Sequence, residues 1–131
     1  MRSLAAPLAF AVVAATVVLA RSATSAPAKA GGERPLREFT VLNVEYKETK
    51  FWTPSTFIVK KGEHVKMKLI NKAPSGVHGF AIDEVGVKVA VNNQEKDNTQ
   101  TVEFDADKPG LYRLYCHMHP AHLGGQLLIL E

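Results

Sequence analysis

The chain has 131 residues, of which 46% are hydrophobic and 22% charged, and this near-average composition excludes collagen-like, coiled-coil and wholly disordered proteins. The length suits one domain, and a single cysteine excludes both an internal disulfide framework and a zinc finger built on paired cysteines. The formal net charge of +3 includes Arg2 and Arg21 in an acid-free first segment; without them 14 of the 16 Lys+Arg face 13 Asp+Glu, which argues against a nucleic-acid partner.

Residues 1–28 predict an export signal. Arg2 supplies a short positive region, residues 3–20 carry no charge, and the Ala-Pro-Ala sequence at residues 26–28 fits a cleavage site. An uncleaved membrane anchor is the alternative, because an uncharged run of 18 residues lies at the lower limit for a spanning helix. The many alanines favour a signal peptide. We therefore expect a periplasmic or secreted protein with no membrane contact beyond this segment, a flexible leader at residues 29–36 and a folded domain at residues 37–131.

The domain alternates between apolar and polar residues in short stretches, a pattern typical of strands rather than helices. In one stretch Val65, Met67 and Leu69 are expected to face one side, while His64 and its polar neighbours face the other. About eight short strands separated by turn sequences predict an all-β fold, a β-sandwich. The predicted strands are residues 39–46, 57–59, 64–70, 77–82, 87–91, 99–104, 111–115 and 126–130.

Residues 115–125 contain the only cysteine and three of the five histidines. A thiolate and imidazoles together form a ligand set suited to copper or zinc. His119 is three residues after Cys116, and His122 is three residues further on, so a tight loop at the end of a strand can wrap all three side chains around one ion. A fourth ligand must come from elsewhere, and His78, which follows a glycine-containing loop 38 residues before the cysteine, is the candidate.

Several segments in sequence order resemble the cupredoxins, small copper-binding sandwich proteins. The matching pieces are residues 54–62, residues 78–80, residues 104–112 and the loop that begins at Cys116, and together they cover nearly all of residues 37–131. The resemblance implies a Greek-key β-sandwich that binds one copper ion per chain. In this family two histidines and one cysteine bind the copper in a near-trigonal plane, and a weaker axial ligand, often methionine, completes the site.

Carried onto this chain, the family pattern matches His78, Cys116 and His119 to the three ligands in the plane. The loop has the length found in amicyanin, but His122 stands where the axial methionine would be. An imidazole is the stronger donor, so it should favour Cu(II), lower the reduction potential and pull the copper toward a tetragonal geometry. A water or Met118 near the axial position is the alternative.

Two other histidines are expected to lie outside this metal site. His117 directly follows the ligand cysteine, and adjacent residues of a strand face opposite sides. His64 shares its strand face with lysines and is expected to be a solvated surface residue.

The frame also resembles nitrosocyanin, whose red copper site combines one cysteine, two histidines and a carboxylate. Residues 78–83 and the Cys-x-x-His-Pro sequence at 116–120 are the closest counterparts; here His78 replaces the carboxylate and the closing loop is shorter. The binuclear copper domain of nitrous oxide reductase and of oxidase subunit two has a similar frame. That domain needs two cysteines in one loop, so the single cysteine of this chain excludes a binuclear centre.

The leading functional prediction is an exported mononuclear copper protein that transfers single electrons to or from an unidentified redox protein, a carrier rather than an enzyme. A red-copper site that binds or converts a small molecule is one alternative, and copper storage or delivery is another. Zinc is the less favoured metal, since one cysteine and three histidines also form a tetrahedral zinc site. No Ser-His-Asp order, phosphate loop or nucleotide fingerprint supports a metal-independent enzyme, and the sequence does not predict an oligomeric state.

Overall fold

A computed structural model describes residues 33–131, which contain nine β-strands and two short 3-10 turns, Asp83–Val85 and Glu95–Asp97, but no α-helix. The predicted all-β fold is confirmed, with one strand more than the eight expected. Within these residues no helix has the length and apolar character needed to cross a membrane. The predicted signal peptide lies outside the described residues. The strands are β1 Leu36–Tyr46, β2 Thr49–Thr53, β3 Thr56–Lys60, β4 His64–Asn71, β5 His78–Ile82, β6 Val87–Val91, β7 Thr99–Asp105, β8 Gly110–Leu114 and β9 Gly125–Leu130.

The strand that the sequence did not predict is β2. It pairs antiparallel with β1 from Tyr46↔Thr49 to Leu42↔Thr53, across a turn whose central residues are Lys47 and Glu48. Both have positive φ, 49° and 65°, a conformation for which tight hairpins normally use glycine, asparagine or aspartate. The residues of this turn therefore do not indicate a hairpin, and for this reason the sequence does not predict β2.

The strands form a four-stranded sheet in the order β2-β1-β4-β7, a three-stranded sheet in the order β3-β9-β8, and the hairpin β5-β6. The pairs β1–β4 and β3–β9 are parallel, and every other named pair is antiparallel. Inward side chains from the two sheets and the hairpin meet in one core, as expected for a sandwich. Val65, Met67 and Leu69 are fully buried in it, as their alternation predicted.

The loop that carries the cysteine and the clustered histidines is attached to the sandwich on both sides. Before the loop, Tyr115 and Ala81 of β5 exchange two backbone hydrogen bonds of 3.0 Å. After it, the N–H of Leu123 donates to the carbonyl of Lys50 in β2 at 3.2 Å, beside a bridge between Phe51 and Leu123. The hairpin β1–β2 and the strand β5 thus fix the two ends of this loop.

The residues just before β1 are bonded to the same sandwich, at the start of β4 and just after the end of β7. The carbonyl of Pro35 accepts a hydrogen bond of 2.9 Å from the N–H of His64. Arg34 forms an ion pair with Asp107 at 2.8 Å.

Candidate metal centre

Four side chains converge where β5 meets the loop that follows β8. Each offers one ligand atom, and the four atoms all lie within 4.8 Å of one another. Two of the residues are buried and two are half-buried. They are the four residues that the sequence singled out: His78 at the first position of β5, and Cys116, His119 and His122 on the loop. Within residues 33–131 there is no second group of this kind.

The ring of His78 has a defined orientation. Its Nε2 lies 3.0 Å from the carbonyl oxygen of Ser75. Because a carbonyl oxygen can only accept, Nε2 carries the proton and donates it, which leaves Nδ1 with a free lone pair. A hydrogen bond at the outer nitrogen is the usual means by which a protein fixes the tautomer of a metal-ligating histidine.

Two ring nitrogens of the cluster histidines have no hydrogen-bond partner, and a third contacts the cysteine sulfur. Nδ1 of His78 and Nδ1 of His122 are both buried and unpaired, while Nδ1 of His119 lies 3.6 Å from Sγ of Cys116. Unpaired buried polar atoms are costly and uncommon, so each calls for an explanation. One ion held by three imidazole nitrogens and one thiolate would pair Nδ1 of His78 and Nδ1 of His122, and this donor set suits copper or zinc.

The surroundings of His78 and His122 favour the neutral form of these two side chains, which is the form that binds metals. Burial is the main cause that lowers the pKa of His78 below its ordinary value, with the Ser75 hydrogen bond acting against it. Burial also lowers the pKa of His122, and the neighbouring His78 and His119 lower it further. These two imidazoles are therefore favoured in the neutral form near neutral pH, and a neutral imidazole can donate its lone pair to a metal ion.

The cysteine is held by a backbone group of the neighbouring strand. The N–H of Gly79 donates to Sγ of Cys116 at 3.2 Å. On the side where other residues carry a Cβ, Gly79 lies against His117: a Cβ added to Gly79 would be 2.5 Å from Nδ1 of His117. His117 is thus placed against Gly79 and outside the four-residue cluster, and Met118 is exposed.

A cleft of about 230 Å³ opens beside the cluster. The guanidinium of Arg113 lies 5.0 Å from the centre of the Tyr115 ring, and the Tyr115 hydroxyl donates to the carboxylate of Asp83 at 2.9 Å. No acidic group in residues 33–131 lies within ion-pair distance of Arg113. Sequence reasoning did not find this cleft, because nothing in the order of residues shows that β8 and the loop enclose it. Its lining residues are Arg113, Tyr115, Cys116, His117, Pro120 and His122.

Comparison with known proteins identifies related sequences. The family model described as "Cupredoxin-like domain" matches residues 9–129. Nitrous-oxide reductase of Ralstonia nicotianae is 35% identical over 105 residues, which are 77% of this chain and 16% of that protein. Nitrous-oxide reductase of Cupriavidus necator is 44% identical over 71 residues, 51% of this chain and 11% of that protein. The chain therefore spans only a small part of the length of these relatives.

Solved structures with the same fold are more distant in sequence. The metal binding domain of the Streptococcus pneumoniae Cu(I) exporting P-type ATPase CopA, solved with Cu(I), has a TM-score of 0.59 and 16% identity, over 76% of this chain and 90% of that one. A copper binding protein solved by NMR in the apo form has a TM-score of 0.55 and 18% identity, over 74% and 90% of the two chains. At such identities the likeness supports the β-sandwich fold alone.

Proposed function

The chain belongs to the cupredoxin-like domain family, and on that premise we propose that it binds one copper ion and carries single electrons in the periplasm or outside the cell. The observation that carries the proposal is the convergence of four donor atoms within 4.8 Å, two of them buried nitrogens without a partner. Copper, when bound, supplies a one-electron change between Cu(I) and Cu(II). The proposed ligands are His78, Cys116, His119 and His122.

The role of the protein in such a transfer is to keep the donors in place. His78 is oriented by Ser75, and Cys116 by the N–H of Gly79. Because the loop is bonded to β5 before it and to β2 after it, the donors change little in position when the charge of the site changes. A small rearrangement means a low barrier to electron transfer.

The surface near His119 is the proposed contact for a redox partner. His119 is half-buried, and the next two residues of the loop, Pro120 and Ala121, are exposed. Beside them Met118 is 44% exposed and Leu123 58%. An apolar rim around a half-buried ligand allows a partner protein to approach closely without displacing charged groups, so we propose His119 as the point where electrons leave.

The visible and EPR spectra of the Cu(II)-loaded protein test copper binding by the cysteine. An intense thiolate-to-copper band is expected, and its absence would contradict ligation by Cys116. Wide hyperfine splitting and a band at shorter wavelength are expected if His122 binds strongly, since a fourth strong donor pulls copper toward a tetragonal geometry. Zinc as the resident metal would instead leave protein purified from its own host without any visible band.

His122→Met tests the fourth ligand. A thioether is a weaker donor to Cu(II) than an imidazole, so the variant should have a higher reduction potential. We expect a rise of more than about 59 mV, which corresponds to a tenfold change in the equilibrium of a one-electron couple. Redox titration followed by the visible band measures it. A spectrum and potential unchanged from wild type would show that His122 is not a ligand.

A second candidate function is the binding of a small molecule at the same site. The cleft of about 230 Å³ beside Cys116 and His122 favours it, because it leads from solvent to two of the proposed ligands. The guanidinium of Arg113, which has no acidic partner within residues 33–131, lines the cleft and would favour an anion such as nitrite or azide.

Anion titration of the copper-loaded protein separates the carrier from the small-molecule site. Binding in the cleft should change the spectrum at modest azide or nitrite concentration, and Arg113→Gln should weaken that response about two- to fivefold, as expected for one exposed charge. Lys68→Gln, which removes an exposed charge from β4, is the matched control. A spectrum that does not respond to either anion would leave electron transfer as the function.

A further inference from the structure

Trp52 makes a buried hydrogen bond to a residue that is not one of the proposed ligands. Its side chain is 2% exposed, and its indole Nε1–H donates to the carbonyl of Gly79 at 2.7 Å. The indole also meets the ring of Phe80 edge to face, with centroids 5.3 Å apart. Trp52 thus holds two consecutive residues of β5, one through a hydrogen bond and one through packing.

Gly79 is held from three directions. Its carbonyl accepts from Trp52, its N–H donates to Sγ of Cys116 at 3.2 Å, and its Cα faces His117 so closely that a Cβ would come within 2.5 Å of Nδ1. Two buried hydrogen bonds therefore connect the indole to the sulfur through a single residue. Since both bonds are buried, neither is exchanged for water at low cost.

We propose that Trp52 is a positioning residue for the cysteine sulfur: by fixing Gly79, it aims the Gly79 N–H at Sγ of Cys116. The contact needs no metal. Its effect on copper rests on the function proposed above, because hydrogen bonds around a ligating cysteine sulfur tune the reduction potential. A donated N–H withdraws electron density from the thiolate, which makes the sulfur a weaker donor to Cu(II). Loss of the contact should therefore lower the potential.

Two variants separate this role from ordinary packing in the core. Trp52→Phe keeps an aromatic ring and removes the N–H. Phe80→Leu keeps the Trp52 N–H and removes the contact between the rings. Both are expected to lower stability, but only Trp52→Phe should affect the Gly79 N–H and the sulfur. If Trp52→Phe fails to fold, replacement of Trp52 by 3-benzothienylalanine removes the N–H from a side chain of nearly the same shape.

The first measurement is hydrogen exchange of the Gly79 amide in the metal-free protein. Trp52→Phe should speed this exchange about fivefold relative to amides of β4, as expected for a weakened hydrogen bond, whereas Phe80→Leu should leave the ratio near that of wild type. Equal ratios in wild type and Trp52→Phe would overturn the proposal. This result does not depend on whether the protein binds copper.

The second measurement is the thiolate-to-copper band and the potential of the copper-loaded protein. Trp52→Phe should shift the band and lower the potential, and Phe80→Leu should not. A faster Gly79 exchange with an unchanged band and potential would overturn the tuning role. If wild-type protein itself gave no thiolate band, the proposed function would fail, while the exchange measurement would still decide the contact between Trp52 and Gly79.

Discussion

The Nε2–H of His78 donates to the backbone carbonyl of Ser75. This leaves Nδ1 free to bind an ion together with Cys116, His119 and His122. These four ligand candidates could be predicted from the sequence, because their residue types are characteristic of metal sites and their loop spacing resembles that of a known family. The residues that hold them could not be predicted. The N–H of Gly79 is a backbone group, so the identity of the residue gives no hint of its role. The hydrogen bond from Trp52 to Gly79 joins positions 27 residues apart, which no local pattern indicates.

Gly79→Ala should show how little space lies between β5 and the loop. The new Cβ would lie 2.5 Å from Nδ1 of His117 and 3.0 Å from its backbone nitrogen, so strand and loop must move apart. We expect a loss of about 1–3 kcal/mol in the free energy of unfolding, the usual cost of overpacking, measured by urea denaturation. Adding His117→Ala should restore part of that loss, since the closest atom is removed. Additive losses in the double variant would show that His117 is not the obstacle.

At the scale of strands, regular alternation was enough to predict β4 and its buried face, whereas β2 depended on a turn with no recognisable sequence. That omission mattered for the site, because β2 supplies both Trp52 and the carbonyl that binds Leu123. A second contact between strands also differed from expectation. His64 is half-exposed, but it is not a free surface residue: it faces Asp105 across the β4–β7 pair, with Nδ1 2.7 Å from the carboxylate.

This β4–β7 contact predicts a pH dependence of stability. The hydrogen bond to Asp105 raises the pKa of His64 above its ordinary value of 6.5, with a smaller contribution from Glu103. The folded state therefore gains stability that is fully present below pH 6.5 and is lost as the pH rises through the raised pKa. His64→Gln should remove this dependence, measured as the difference in Tm between the two metal-free proteins from pH 5.5 to about pH 8.5. A difference that stays constant over this range would contradict the pairing.

At the scale of the whole molecule, the proposed ligands join the middle of the described chain to the loop between β8 and β9. His78 lies in the hairpin β5-β6, and the other three ligands lie on a loop bonded to β5 and β2. An ion bound to all four would therefore oppose the separation of these elements. Since unfolding disperses the ligands, binding free energy adds to folding stability.

Copper loading should accordingly raise the stability of the whole domain. At a free copper concentration 100 times the dissociation constant, the gain is about 2.7 kcal/mol, and it should appear as a higher Tm that returns to the apo value when a chelator removes the metal. Cys116→Ser, which is close to wild type in shape, should lose most of the gain. An equal gain in that variant would mean that copper binds elsewhere on the protein.

Three of the four proposed ligands lie within the seven residues 116–122. This segment is anchored at both ends, by Tyr115, which is hydrogen-bonded to β5, and by Leu123, which is hydrogen-bonded to β2. The chemistry of the site is therefore modular. Substitution of a few residues between these anchors would replace most of the ligand set and leave the sandwich and His78 unchanged. Natural variation confined to this loop would give a lineage new metal preferences without the need to evolve a new scaffold.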